Sequence, residues 1–322
     1  MIRITGIDEA GLGPVLGPLV VSSAAFDVPD ELARASLWGP LKTGVSKKVP
    51  KSSYRIAIGD SKKIFNRNGP AGIEPLERSV LALLAGLGDC PVSLHDCLRA
   101  LLVDPVRTLA DYPWYADDLP LPRVLSAMNV KLIANSVRDC FLRAGIRLAG
   151  LQARPVHVAE YNRVVTGTNN KHTAAFGFTA GLILRAIEAC PAGMDLRICV
   201  DRQGGRTRYL QPLQRILPEG RFRIIEESES FSHYRVDLDG RRIDLEFNVG
   251  ADDLHLPVAL ASMVSKYLRE LFMELINAFW LTHQSDLVPT AGYHTDGHRF
   301  LEQIEPHRLR LRIPVDRLQR CR

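Results

Sequence analysis

The 322-residue chain has 46% hydrophobic residues, 24% charged residues and a net charge of +5, a balance that excludes a disordered or fibrous chain and permits a sizeable core. No apolar run approaches the roughly 20 residues that cross a bilayer, no signal-peptide apolar segment follows the first residues, and the six cysteines form no CxxC pair. The expectation is a soluble cytoplasmic protein with no membrane association, no disulfide framework and no structural zinc, and a single large domain spanning 1–322.

In chain order, Ile2–Asp8 and Leu19–Phe26 read as strands, apolar and β-branched, joined by the turn EAGLGPVLGP. A strand sends successive side chains to opposite faces, so the adjacent carboxylates Asp8 and Glu9 would part if the strand ran on. A strand ending at Asp8 leaves Glu9 in the loop, where Gly11 and Gly13 permit positive φ and let backbone N–H groups approach a ligand. Tyr54–Ile58 reads as a short strand, overlapping the basic stretch Ser46–Arg55. Helices are expected near Ile73–Gly86, Ser93–Leu102 and Leu121–Ala144, with the aromatic loop DYPWYADDLPLP between the last two, and again over His172–Ala189. Asp195–Asp201 is an apolar strand that ends in an aspartate. After a helix at Arg208–Leu217, the stretches RFRIIEE, HYRVDLDG and RRIDLEFNV alternate as strands do, with Asp239-Gly240 as a hairpin turn. A long amphipathic helix then covers Pro257–Thr282, with proline in its first turn. Strands mixed with helices predict an α/β sheet covered by helices. The last stretch, 307–322, sets six arginines against one aspartate and reads as a solvated basic tail.

Two strands thus end in an aspartate followed by a glycine-containing loop. Functional crevices in open α/β sheets lie beyond the carboxyl ends of strands, which makes Asp8 and Asp201 candidates for one site. Converging carboxylates with lysines nearby suit hard divalent cations such as Mg²⁺ or Mn²⁺, and a pair of such ions can serve an in-line phosphoryl displacement. A lone strand-end aspartate more commonly caps a turn; several together shift the balance.

GIDEAGLGPVLGP resembles the DEAGRGP..GP signature of the type 2 ribonucleases H, ribonuclease HII in particular. Further matches follow in that family's order: Asp60-Ser61-Lys62-Lys63 resembles its DSKKL segment, Cys199-Val200-Asp201 its strand ending in a catalytic aspartate, and Ala261–Glu270 its ASIxAKVxRD helix. Ala291–His298 is similar to its GYxTxxH motif. The resemblance implies an RNase H-like fold, a mixed five-stranded sheet flanked by helices. It also implies a catalytic and metal-holding set of Asp8, Glu9, Asp201 and Glu270 with two Mg²⁺ or Mn²⁺ ions. Gly11, Leu12, Gly13, Ser61, Lys62, Lys63, Lys266 and Tyr293 would contact the substrate. The implied activity is hydrolysis of the RNA strand of RNA–DNA hybrids, or of ribonucleotides embedded in DNA, giving 5′-phosphate and 3′-hydroxyl ends.

The sequence departs from the family in four places. Glu270 stands where the family has aspartate; Asp252, just before the long helix, is expected to match a supporting aspartate. Leu12 replaces the arginine of the GRG triplet, whose role is to grip the sugar-phosphate at the ribonucleotide junction, and leucine cannot hydrogen-bond a phosphate. Residues 64–164 form extra material, read as a helical insertion or subdomain. The basic tail replaces the family's usual ending. Trp114 and Tyr115 could stack bases, although such a pair in a proline-rich loop more commonly pins the loop to the core. His294 and His298 have metal-ligand spacing without further ligands and read as helix-start residues. Two alternatives to the ribonuclease stay open: a nuclease with structure- or DNA-directed specificity, and an inactive nucleic-acid-binding protein.

Overall fold

The computed structural model describes residues 1–321 apart from 53, 68 and 103–108. The N-terminal third contains strands β1 (Ile2–Ala10), β2 (Leu19–Val28), β3 (Val45–Ser46) and β4 (Ile56–Ala57), then helices α1 (Ser61–Ile64), α2 (Glu74–Leu87) and α3 (Leu94–Leu101). The middle holds α4 (Ala127–Arg143), β5 (Arg147–Val156), α5 (Val158–Thr168), α6 (Lys171–Ala189), β6 (Leu196–Asp201) and α7 (Leu210–Ile216). Strands β7 (Arg221–Glu227), β8 (Phe231–Leu238) and β9 (Arg241–Asn248) form a meander, followed by α8 (Ala251–Leu254), α9 (Leu256–His283) and α10 (His294–Arg310).

Seven strands make one mixed sheet in the order β5-β2-β1-β6-β9-β8-β7. β1 pairs antiparallel with β2 and parallel with β6, and β6 pairs parallel with β9. The sheet has seven strands where the resemblance implied five. The meander adds β8 and β7 at one edge, so the sheet is wider than the resemblance implied. The α/β class, a mixed sheet flanked by helices, holds.

β1 is an interior strand, third from the β5 edge, and is buried on both faces. One face packs against α9, which is buried on nearly every side because α2 and the turn at 113–115 cover it from outside. The other face packs against α6, which α5 and α7 flank within the second core cluster. Contact with α9 is unusually close at Gly6, where an added Cβ would stand 2.1 Å from the Pro257 carbonyl carbon and the Val258 nitrogen. No side chain fits there, so the start of α9 rests on the bare backbone of β1.

The stretch 64–164 is neither wholly helical nor separate. β5 pairs with β2 from Leu19↔Val156 to Asp27↔Arg147 and forms an edge of the main sheet, where its internal Pro155 removes no interior ladder bond. The buried Glu77 on α2 accepts hydrogen bonds from the Val124 and Leu125 amides at 2.8 and 2.9 Å. α4 starts later than expected, at Ala127, where the Ser126 hydroxyl accepts from the Asn129 amide. Trp114 and Tyr115 are buried; Tyr115 packs on Phe272 with ring centroids 5.1 Å apart, Trp114 on Phe279 at 6.0 Å. They pin their turn to α9 and offer no face to a base.

The expected basic tail is also structured up to residue 321; Arg322 lies outside the described residues. His307–Arg310 ends α10, and the following segment straps back over the loop between β1 and β2. No helix among the described residues is long and apolar enough to cross a membrane.

Candidate active site

β1 does not end at Asp8. It runs on through Ala10, with Glu9 opposite Val21 and Ala10 opposite Val20, so alternation does send the two carboxylates to opposite faces. Asp8 turns toward α9, where the Ser262 hydroxyl bonds it and the Ser265 hydroxyl donates to its backbone carbonyl at 3.1 Å. Glu9 turns toward α6 and accepts from Gln203 Nε2 at 2.9 Å, whose amide is also 2.6 Å from Thr179 Oγ1. Both still face one cleft of about 550 Å³. The cleft wraps over the end of β1, because the pairing with β6 stops at Ile7↔Val200 and leaves the strand end open.

Asp201, at the end of β6, and Asp252, on the short α8, line the same cleft. Asp201 Oδ1 accepts from the Ala251 amide at 2.7 Å, which fixes α8 and hence Asp252 beside it. Asp8 is pushed well above the usual carboxylate range, first by burial and then by the charges of Glu9 and Asp201. Glu9 rises to about 7, mainly by burial, with the Gln203 amide opposing and Asp201 adding. Asp201 rises to about 6 through burial, opposed by the Ala251 amide and reinforced by Asp252. Asp252 is raised by burial, Asp60 and Asp253. Desolvation and mutual repulsion thus act together on four acids, and a cation placed among them would relieve both.

The rim supplies other chemistry. Ser61, Lys62, Lys266 and Tyr293 line the cleft, as do Gly11, Leu12 and Gly13. Asp60 caps α1 by accepting from the Lys62 amide at 2.9 Å, and Ser61 Oγ lies 3.0 Å from Ser262 Oγ, so α1 is fastened to α9 at the cleft edge. Tyr293 is half exposed, and its ring covers the Arg269 guanidinium at 5.6 Å. The Leu12 and Gly13 amides have no partner among the described residues.

No family model matches the chain. Over 155 residues it is 28% identical to the ribonuclease HII of Gluconobacter oxydans (strain 621H), a match covering 45% of this chain and 70% of that protein. By sequence, its likeness is to ribonuclease HII. Among solved structures it is similar to the ribonuclease HII of Archaeoglobus fulgidus in its complex with PCNA, with 18% identity, a TM-score of 0.47 and coverage of 100% of this chain and 95% of that one. It is also similar to the ribonuclease H2 of Pyrococcus horikoshii OT3, with 15% identity, a TM-score of 0.46 and coverage of 98% and 92%. The likeness is to a hydrolase of the ribonuclease H type.

Of the four expected catalytic carboxylates, Glu270 is the one that does not line this cleft. It lines a neighbouring cavity of about 380 Å³ with Phe65, Arg67 and Glu274. Its carboxylate is buried against Arg67, against Lys266 at 2.8 Å, and 3.8 Å from Arg269. Ser262, Lys266 and Glu270 share one face of α9, but Glu270 sits eight residues beyond Ser262, about 12 Å further along the axis. The position expected only to support, Asp252, stands in the cleft instead. Its sequence signal was present, an aspartate pair at the foot of a long helix. Gln203 went unremarked; an amide three residues into the RQGG loop carries no distinctive pattern.

Lys63 does not itself line the cleft; it pairs with two of the cleft's acids, Asp253 at 3.0 Å and Asp60 at 3.1 Å. His294 opens α10, with its ring 4.7 Å from that of His298. Among the described residues one trio of possible metal donors lies within 4.8 Å of one another: Cys199, Glu246 and His255. Arg197 and Arg34 already grip Glu246 there, so its charge is answered within the protein.

Proposed function

We propose that the chain is a metal-dependent endoribonuclease that hydrolyses the RNA strand of RNA–DNA hybrids or ribonucleotides embedded in DNA. Asp8, Glu9, Asp201 and Asp252 are its metal-holding set, with Asp252 taking the role expected of Glu270. The observation that carries this reading is the cleft itself: four carboxylates with raised proton affinity, from three different elements, beside lysines and unpartnered amides. All-oxygen donors suit Mg²⁺ or Mn²⁺. Such ions would supply Lewis-acid polarisation of the scissile phosphate and a lowered pKa for an attacking water.

The chain's own groups do the rest. Gln203 and Thr179 fix the Glu9 carboxylate, the Ala251 amide fixes Asp201, and Ser262 fixes Asp8; such supporting contacts hold metal ligands in register. Lys62 and the Leu12 and Gly13 amides bind backbone phosphates, and Tyr293 packs on the sugar. Lys47, whose Nζ donates to the Asp253 carbonyl at 2.9 Å, stands at the cleft rim, where it extends the phosphate track. Cleavage on this reading leaves 5′-phosphate and 3′-hydroxyl ends.

A second reading, DNA- or structure-directed cleavage, is favoured by Leu12. Its side chain packs partly against the second core cluster and offers the junction no donor. Three labelled duplexes test both readings: an RNA–DNA hybrid, DNA with one embedded ribonucleotide, and all-DNA, each in Mg²⁺ and in Mn²⁺. Ribonucleotide-dependent cutting lost in Asp201→Asn supports the first. Equal cutting of all-DNA supports the second, and cutting that survives the substitution refutes both.

A further inference from the structure

The loop that carries Leu12 and Gly13 rests on two buried arginines distant in sequence. Arg320 is 3% exposed and belongs to the strap that follows α10. The strap is fastened on both sides. The Arg320 amide donates to the Val15 carbonyl at 2.9 Å, Leu16 and Gln319 form an antiparallel bridge, and Asn162 Nδ2 donates to the Gln319 carbonyl at 2.9 Å while its Oδ1 accepts from the Cys321 amide at 2.8 Å. Arg320 Nε donates to the Gly17 carbonyl at 2.9 Å, Nη2 to the same oxygen at 2.5 Å, and Nη1 to the Gly11 carbonyl. The second arginine, Arg269 of α9, is 1% exposed and donates through Nη2 to the carbonyls of Leu16 at 3.3 Å and Ala291 at 3.0 Å. Its Nε and Nη1 have no hydrogen-bond partner among the described residues, and Nε would lie 2.6 Å from a Cβ at position 11.

Two features of this base are out of the ordinary. Buried guanidinium groups are normally paired with carboxylates, because an unpaired buried charge is strongly destabilising. Here Arg320 has no carboxylate partner among the described residues, and Arg269 shares Glu270 with Arg67 and Lys266. The carbonyls of Gly11, Leu16 and Gly17 stand in for anions. The second feature is directional. In a trans peptide the C=O and the following N–H point opposite ways, so drawing the Gly11 carbonyl inward onto Arg320 turns the Leu12 amide outward. Leu12 lines the cleft, and its amide has no partner among the described residues.

We infer that Arg320 is a positioning residue for substrate: with Arg269 it forms a cationic base that aims the Leu12 amide at a phosphodiester of the nucleic acid and supplies from beneath the positive field that Leu12 cannot supply from above. The inference rests on the ribonuclease reading of the cleft. Burial and the neighbouring Arg269 charge lower Arg320 to about 9, so it remains cationic at neutral pH. A field acting through a buried side chain adds to affinity, not to the chemical step, because the ground and transition states present the same flanking phosphate.

The test uses the full chain with Arg320→Gln and Arg320→Lys, measuring kcat and KM on the hybrid across salt concentrations, and thermal melting. In the Asp201→Asn background, direct binding of the labelled hybrid is measured with and without each substitution. Arg320→Gln is expected to raise KM roughly tenfold, the scale of one charge-assisted contact, with kcat within about threefold. Arg320→Lys keeps the charge but, as a point donor, cannot hold the Gly11 and Gly17 carbonyls together; it is expected to recover part of the lost affinity. Unchanged KM and unchanged hybrid binding in the folded variants overturn the inference while leaving the ribonuclease reading intact. If Arg320→Gln does not fold, an unchanged KM in Arg320→Lys overturns it alone. A kcat that falls while KM holds also overturns it. An unmodified chain that neither cuts nor binds the hybrid removes the ribonuclease reading, and this inference with it.

Discussion

Asp252→Asn and Glu270→Gln are expected to fail in opposite ways, and the structure sets both magnitudes. Asp252 is one of four mutually raised carboxylates in the cleft. Replacing it with the neutral isostere removes repulsion, so the metal-free protein keeps its melting temperature or gains a little. Activity falls by at least about 100-fold, since a ligand lost is worse than one misplaced by about 1 Å. Glu270 answers Arg67 and Lys266 in a buried cluster, and breaking such a cluster by removing one partner's charge costs about 3 kcal/mol. For 322 residues, the unfolding entropy near the midpoint is about 0.7 kcal/mol per kelvin, which converts that loss to a shift of roughly 4 °C. Cleavage of the hybrid in Mg²⁺ or Mn²⁺, measured at a temperature where both variants are folded, should show Glu270→Gln within about tenfold of the unmodified chain. The reasoning is refuted if Glu270→Gln is dead at full stability while Asp252→Asn still cuts, since the fourth ligand would then be where the sequence first pointed.

The remaining expectations follow from the same geometry. Glu9 binds its proton more tightly folded, at about 7, than at its ordinary 4.5, so the folded state holds the extra proton between those values and metal-free stability falls as pH rises through the window. Glu9→Gln removes that penalty: its melting temperature in chelator should match the unmodified chain near pH 5 and exceed it at pH 8, and a gap that does not widen would contradict the assigned burial. Leu12→Arg should tighten hybrid binding and steepen its salt dependence by about one unit of slope; an unchanged slope would place residue 12 away from the backbone. Gly6→Ala forces a Cβ to within 2.1 Å of the α9 backbone and should cost about 3 kcal/mol or more by urea unfolding. A cost under about 1 kcal/mol would mean that helix and strand do not touch there.

Much of this was readable before the structure because it depends on local rules. The central strands were visible as β-branched runs, α9 as a long amphipathic stretch opened by proline, and Asp201 as a strand-end acid. The misses were tertiary. Glu9 was moved into the loop because alternation forbade sharing a face with Asp8; the cleft instead bends over the strand end and takes one carboxylate from each side. Glu270 shares a helical face with Lys266, but a face fixes direction and not distance along the axis, and only the docking of Gly6 on Pro257 sets where α9 begins relative to β1. β5 was invisible because Gly150 and Pro155 disguise it, which an edge strand tolerates. The tail looked solvated because arginine usually is; nothing local tells that Arg320 has glycine carbonyls waiting for it.

That strap also orders events in time. Gly11 and Arg320 are 309 residues apart, so a growing chain cannot seat the loop until almost everything between has been made. At roughly 5–20 residues per second, β1 waits about 15 to 60 seconds for the arginine that turns its loop carbonyls inward. Contacts of such span are slow to close even in a finished chain, because the intervening polymer must be ordered first. The sheet and α9 can assemble earlier, which makes the loop over the cleft one of the last parts to mature. Seating of this loop therefore follows the synthesis of residue 320, long after the strand that carries the loop has been made.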